Sequence, residues 1–249
     1  SYKIGNGEFV APYTVTCNVA MGGNATFTHN VPAVFSTEGP VEITVFVSNP
    51  NGNTDNEDNN TLTHNLYVNP ASVPHNALLE HFTTAQCPNC PAATTNLTNW
   101  TNTRPNIIWI SHHAGYYTDA YTVTENTTLL AFYNDGGSTY APAIMLDRMH
   151  LAPEGDPGPV FFPGSSFTPG LMDQRRNAPA FVTVEMEGDY NPDTRVLNLT
   201  VSGEFVGTVN GSPRISVYVV EDGLVGTQQG ATGNYTHNHV MRDAISDVW

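Results

Sequence analysis

Apolar positions along this chain recur with a period of two, then in helical and continuous runs, then with a period of two again. Val41, Ile43 and Val45 alternate with Glu42 and Thr44, and Leu62, Leu66 and Val68 sit among Thr63, Asn65 and Tyr67. Alternation of this kind predicts half-buried strands, because successive strand side chains point to opposite faces. The stretch Asn49–Asn60 between them is dense in Asn, Asp and Gly, residues that tolerate left-handed backbone, so a hairpin is expected there. From about residue 74 the pattern changes. Ala77–Phe82 and Ile107–Ile110 are short apolar runs of the kind a buried central strand needs. Ala93, Leu97 and Trp100 recur at helical spacing, and a second helix is expected over Thr124–Tyr133. Tyr140–Asp147 reads as a further strand, 153–169 as a long Gly/Pro loop, and Leu171–Arg176 as a short helix. After about residue 179 the period of two returns in Val182, Val184 and Met186, in Leu197, Leu199 and Val201, and in the run Ile215–Val220. Residues 235–242 show no simple period. The expectation is an α+β chain of three consecutive parts: a β-sandwich over 1–73, an α/β domain over 74–178 and a second β domain over 179–249.

Composition narrows the partners. Charged residues make up 12% of the 249 positions, the formal net charge is -15, and Lys3 is the sole lysine. Nucleic acid and anionic membrane surfaces are therefore excluded as partners, since both need clustered Lys and Arg. No apolar run reaches transmembrane length. The chain opens on Ser1 with no visible signal peptide, so a processed or trimmed product is expected.

The sharpest chemical motif is Cys87-Pro88-Asn89-Cys90, placed between an apolar strand and a helix. This order is how a thioredoxin-like domain presents a redox pair. A cysteine at a helix N-terminus is favoured as thiolate, and two intervening residues let the sulfurs close a disulfide. Cys87 would then attack and Cys90 resolve, with Pro142 against the pair and His81, six residues upstream, in reach as a proton relay. The competing reading is a permanently closed disulfide that pins the first helical turn. Pro88 and Pro91 are both expected in that turn, where a missing N–H costs little. Zinc held by Cys87, Cys90, His81 and His113 is a weaker option, and no cofactor or metal is expected. Asp55, Glu57 and Asp58 form a weak calcium candidate that matches no EF-hand spacing. Tyr116, Tyr117 and Tyr121 are expected to pack, with a binding face as the alternative. Cys17 is expected as a buried free thiol.

The pieces Leu78-Leu79-Glu80 through Thr83, Cys-x-Asn-Cys-Pro, His113-Ala114-Gly115, Pro142 through Arg148, Glu221-Asp222-Gly223 and His237 through Arg242 together resemble the outer-membrane-protein-28-like family of Bacteroidota. That resemblance spans 77–249 and implies a thioredoxin-like domain joined to an Ig-like β domain on a secreted or surface protein. The first region resembles a CARDB-type, Ig-like sandwich. Against both patterns the β regions lack strands. Either the sequence is a fragment, or strands are donated by a neighbour, which would make the protein a subunit of a filament or other homo-oligomer. The leading functional expectation is a structural or interaction protein of the cell surface. The alternative is an exported thiol-disulfide oxidoreductase.

Overall fold

A computed structural model describes residues 1–49, 52, 56–134, 139–151, 167–209 and 211–246. The chain is of the α+β class, mostly β, and its contacts divide it into two units.

The first unit contains Ser1–Ser72 and Phe181–Thr208. Strands β1 (Tyr2–Ile4), β2 (Gly39–Phe46) and β3 (Thr61–Val68) form an antiparallel sheet in that order. β2 and β3 pair along their full lengths, from Gly39 opposite Val68 to Phe46 opposite Thr61. The alternating residues therefore do form strands. Burial does not follow. Val45, Val47 and Leu62 are exposed, and among the described residues of this unit only Tyr2, Gly39 and Thr44 are buried.

The second unit contains Val73–Ala180 and Val209–Trp249. The chain enters β4 (Ala77–Thr83), α1 (Cys90–Thr101), β5 (Ile107–His113), α2 (Thr124–Tyr133), β6 (Ala143–Leu146) and α3 (Pro169–Arg176). It then passes through the first unit's hairpin of β7 (Glu185–Asn191) and β8 (Val196–Ser202). It returns as β9 (Tyr218–Glu221), β10 (Leu224–Gly226), β11 (Tyr235–His237) and β12 (Val240–Ala244). One five-stranded sheet runs in the order β6-β4-β5-β12-β9, and β10 and β11 form a separate hairpin. β4 and β5 are parallel in register from Ala77–Ile107 to Thr83–His113, and β6 runs antiparallel on the outer side of β4.

This division differs from three consecutive parts. Residues 181–208 group with the first unit, whereas β9 and β12 complete the sheet begun by β4. The reason lies in backbone pairing: β12 lies parallel to β5 at Ser111 and antiparallel to β9. The missing period over 235–242 is also explained. His239, at φ 59°, turns the chain between β11 and β12, so the side-chain alternation restarts there.

Both faces of the five-stranded sheet are covered. Leu79, Ile144 and Leu146 pack with Leu97 of α1, Met172 of α3 and Phe167. On the other face Phe82, Ala143 and Met145 meet Leu130 of α2, and Ile110 and Met241 meet Leu129. Complete burial of side chains such as Leu79, Phe82 and Leu129 contributes roughly 1.5–3 kcal/mol each. α1 starts at Cys90, so Pro91 lies in its first turn and Pro88 in the turn before it, a correction to the expectation for Pro88.

Candidate functional site

The CxxC loop follows β4 directly. Thr84 is fully buried, and the Cys87 amide donates to its carbonyl at 3.0 Å. Cys87 and Cys90 are joined as a disulfide and are 0% and 1% exposed. Neither sulfur is therefore a free thiolate ligand for the zinc arrangement. Ala141 packs against both, and the Ala141–Pro142 peptide is cis, with Pro142 buried beside it. Gly115 makes this fit possible. Its φ is +145°, and a Cβ there would lie 2.9 Å from the Ala141 methyl.

The segment linking β10 to β11 closes over the loop. Gln228, 6% exposed, donates through Nε2 to the Cys87 carbonyl at 2.8 Å and to the Thr84 carbonyl at 3.2 Å. The Gln229 amide donates to the Ala85 carbonyl at 2.8 Å. Gly230, at φ +81°, passes so close to Pro88 that a Cβ would overlap the Pro88 carbonyl. The disulfide is thus enclosed by residues about 140 positions later in the chain. Sequence reasoning missed Gln228, and no local pattern marks it, because its partner groups are backbone carbonyls.

β4 sends its two titratable residues to opposite faces. His81 shares the face of Leu79 and tilts against Trp109 at 6.1 Å. It is 1% exposed, and neither ring nitrogen has a partner among the described residues. Burial, helped by the nearby His113 and His112, lowers its pKa to about 3, so it is neutral at neutral pH. Glu80 faces the other way and is 0% exposed. Arg148 donates to it through Nε and Nη2, both at 2.9 Å, and the His112 ring lies 3.1 Å away. Burial alone would raise the Glu80 pKa, but hydrogen bonds and charge from His112 and Arg148 outweigh it and hold the carboxyl below its usual range.

The same network extends outward. Arg148 also donates to the Tyr218 hydroxyl at 2.9 Å, and its guanidinium sits 5.3 Å from the Tyr133 ring centre. His112 reaches the Asn126 side chain at 2.9 Å. Arg148 reaches back because Asp147 and Arg148 both adopt left-handed backbone after β6, at φ 51° and 53°. Asp147 stabilises that turn by accepting from the Leu78 amide at 2.7 Å and from Arg175 at 2.7 Å.

His112 and His113 diverge, as neighbours on a strand must. His113 Nδ1 lies 2.7 Å from Asp119, which also accepts from the Ala85 amide at 2.6 Å and the Tyr121 amide at 2.8 Å. Burial opposes ionisation of Asp119, but the His113 contact and these amides dominate and push its pKa well down. His237 comes within 5.4 Å of the His113 ring and 4.7 Å of Tyr121, and burial together with His113 lowers its pKa. His239 does not join it. It stacks on Trp109 at 4.8 Å and pairs with Asp222 at 3.3 Å. Tyr116 and Tyr117 are exposed and contact each other edge-on at 4.8 Å, whereas Tyr121 packs on His113.

The remaining candidates lie apart from this centre. Cys17 is free and exposed, which corrects the expectation of a buried thiol; among the described residues of its unit only Tyr2, Gly39 and Thr44 are buried. Asp55 and the Glu57 side chain lie outside the described residues. The Asp58 amide is held by the Asn56 side chain at 3.2 Å. Most of the 153–169 loop is likewise outside them. Among the described residues no cluster of three metal-binding side chains forms, and no helix is long and apolar enough to cross a membrane.

No family model matches the chain, and no curated protein matches it. Two solved structures align with the chain. HBP35 of Porphyromonas gingivalis aligns with a TM-score of 0.57 at 19% identity, over 71% of this chain and 58% of HBP35. A structural-genomics protein of Agrobacterium tumefaciens aligns with a TM-score of 0.43 at 17% identity, over 70% of this chain and 73% of that one. This chain thus spans less than two thirds of HBP35, and the likeness concerns fold alone.

Proposed function

We propose that this is an extracellular structural or interaction protein of a bacterial surface, related to the outer-membrane-protein-28-like group. In this reading its second unit is a thioredoxin-like domain stapled by Cys87–Cys90, and its first unit is a partial Ig-like sandwich completed by a second copy of the chain. One observation carries the proposal: the first unit pairs two eight-residue strands in full register yet buries almost nothing. Val45, Leu62, Met186 and Leu197 present apolar side chains to solvent along laddered strands. Open strands with uncovered apolar faces are templates for pairing with another chain. A second copy supplies the same unfinished strands, so exchange between identical units covers both.

Electron microscopy and mass measurement of the undenatured protein test this. Filaments or closed assemblies support strand exchange. A monomer of 27.0 kDa sinks it.

The order strand, CxxC, helix and the packing of Ala141 on both sulfurs favour a second reading, an exported thiol-disulfide oxidoreductase using Cys87 and Cys90. Exchange needs a reachable sulfur. Full burial of Cys87 under Gln228 supports the staple instead. Turnover of a test disulfide that disappears in a folded Cys87→Ser variant would establish the enzyme.

A further inference from the structure

The walls around the disulfide differ in how they are anchored. Ala141, which packs on both sulfurs, leads into β6, and Gly115 beside it follows β5; both strands lie in the five-stranded sheet. The cover that Gln228 provides comes from elsewhere. β10 and β11 pair only with each other, three residues a side, and have no ladder to that sheet. Among the described residues, none of positions 224–237 joins an apolar cluster of the unit. At the base of this hairpin His237 packs on Tyr121 and His113. At its tip three donations reach the CxxC loop: Gln228 Nε2 to the Cys87 and Thr84 carbonyls, and the Gln229 amide to the Ala85 carbonyl.

Both ends of the hairpin turn on left-handed backbone. Gly223, at φ 77°, precedes β10, and His239, at φ 59°, follows β11. The two turns are tied to one another rather than to the tip. The Gly223 amide donates to the Asn238 side chain at 2.9 Å, and the His239 amide donates to Asp222 at 2.6 Å. The tip itself is closely fitted, since Gly230 leaves no room for a Cβ against the Pro88 carbonyl. Hydrogen bonds with little apolar burial add modest net stability, and segments held this way open locally before the core does. We propose that the β10–β11 hairpin is a gate over the Cys87–Cys90 disulfide, hinged at Gly223 and His239 and latched by Gln228. An outside thiol reaches Cys87 Sγ only while the latch is released. This inference rests on the stapled disulfide of the proposed function and adds what controls access to it. With a dithiol as reductant, one thiolate attacks Cys87 Sγ, the S–S bond breaks, and Cys90 leaves as thiolate and takes up a proton. The second thiolate of the reductant then attacks the reductant's own sulfur in the mixed disulfide. Cys87 leaves reduced, the reductant closes as a cyclic disulfide, and two electrons have passed to the protein.

The test follows reduction of the full chain by dithiothreitol, read by thiol titration after an acid quench. The protein as isolated should titrate one thiol, Cys17. The folded chain should be reduced more slowly than the urea-unfolded chain. Its rate should change little in urea below the unfolding transition, because opening a hairpin exposes little surface. Gln228→Ala removes two of the three tip contacts and should speed reduction at least about tenfold with unchanged melting, equivalent to about 1.4 kcal/mol. Gly230→Ala, whose methyl displaces the tip from Pro88, should do the same and serves in its place if Gln228→Ala fails to fold. Equal rates for folded and unfolded chains overturn the gate. So does a rate that climbs with urea in step with global unfolding, or folded variants that both keep the original rate. Three titrating thiols in the isolated protein would overturn the staple and the gate together, whereas unchanged variant rates overturn the gate alone.

Discussion

The two units obey the same backbone rules and differ in what their side chains do. In the first, β2 and β3 pair over eight positions, and β7 and β8 over seven, yet only Tyr2, Gly39 and Thr44 are buried among its described residues. In the second, a five-stranded sheet lies between α1 and α3 on one face and α2 on the other, and Leu79, Phe82, Leu129 and Met241 are wholly enclosed. Backbone hydrogen bonds are common to both and contribute little net stability, because water offers equivalent partners. Burial separates the two. Among the described residues the first unit's ladders have no buried apolar face, whereas the second unit holds its own core and buried charge network.

The largest expected effect breaks the better-packed unit. Glu80→Ala leaves Arg148 and His112 without their buried carboxylate and should cost about 3–5 kcal/mol; denaturant unfolding reads this. A loss under 1 kcal/mol would mean that the network is not buried as described.

Next is the disulfide. Cys87→Ser should cost about 2 kcal/mol, since the loop it closes is short. Unfolding with and without reductant checks the figure. No loss at all would remove the staple reading.

A pH effect of comparable size per pH unit is expected from His81. Its pKa is lowered to about 3 in the folded chain from 6.5. The unfolded chain therefore binds a proton between those values that the folded chain does not, and stability present above pH 6.5 falls as pH drops toward 3. The slope is about 1.4 kcal/mol per pH unit. His81→Leu should reduce the slope of melting temperature against pH between 6.5 and 4, with the remainder coming from His237, whose pKa is also lowered. Below that range Asp119, whose pKa is also depressed, adds its own loss as it protonates.

The smallest effect on stability sharpens the contrast. Met186→Glu and Leu197→Glu replace exposed side chains and should change unfolding by no more than about 0.5 kcal/mol. The same pair should dissolve any native assembly into particles of one chain. A substantial destabilisation of the isolated chain would show that these faces are already covered within it.

The elements were largely legible. α2 coincides with the expected Thr124–Tyr133, and the strands around Val41–Val45 and Ile107–Ile110 form where the periodicity puts them. The pairing of Cys87 with Cys90 followed from spacing alone, and the separation of His112 from His113 from the alternation of a strand. Local sequence determines such features, because period and spacing act within one turn or one strand. Tertiary structure decided the rest. The sequence placed 179–249 in one domain, but backbone pairing of β12 with β5 draws the chain's last strands into the CxxC unit. Glu80 meets Arg148 across 68 positions, and Gln228 meets Cys87 across 141. Neither contact leaves a periodic trace, because a charge pair or a side-chain amide on a backbone carbonyl needs only proximity. Cys17 shows the same division: its residue type predicts burial, but burial requires a core, and only the packed neighbours of a side chain provide one.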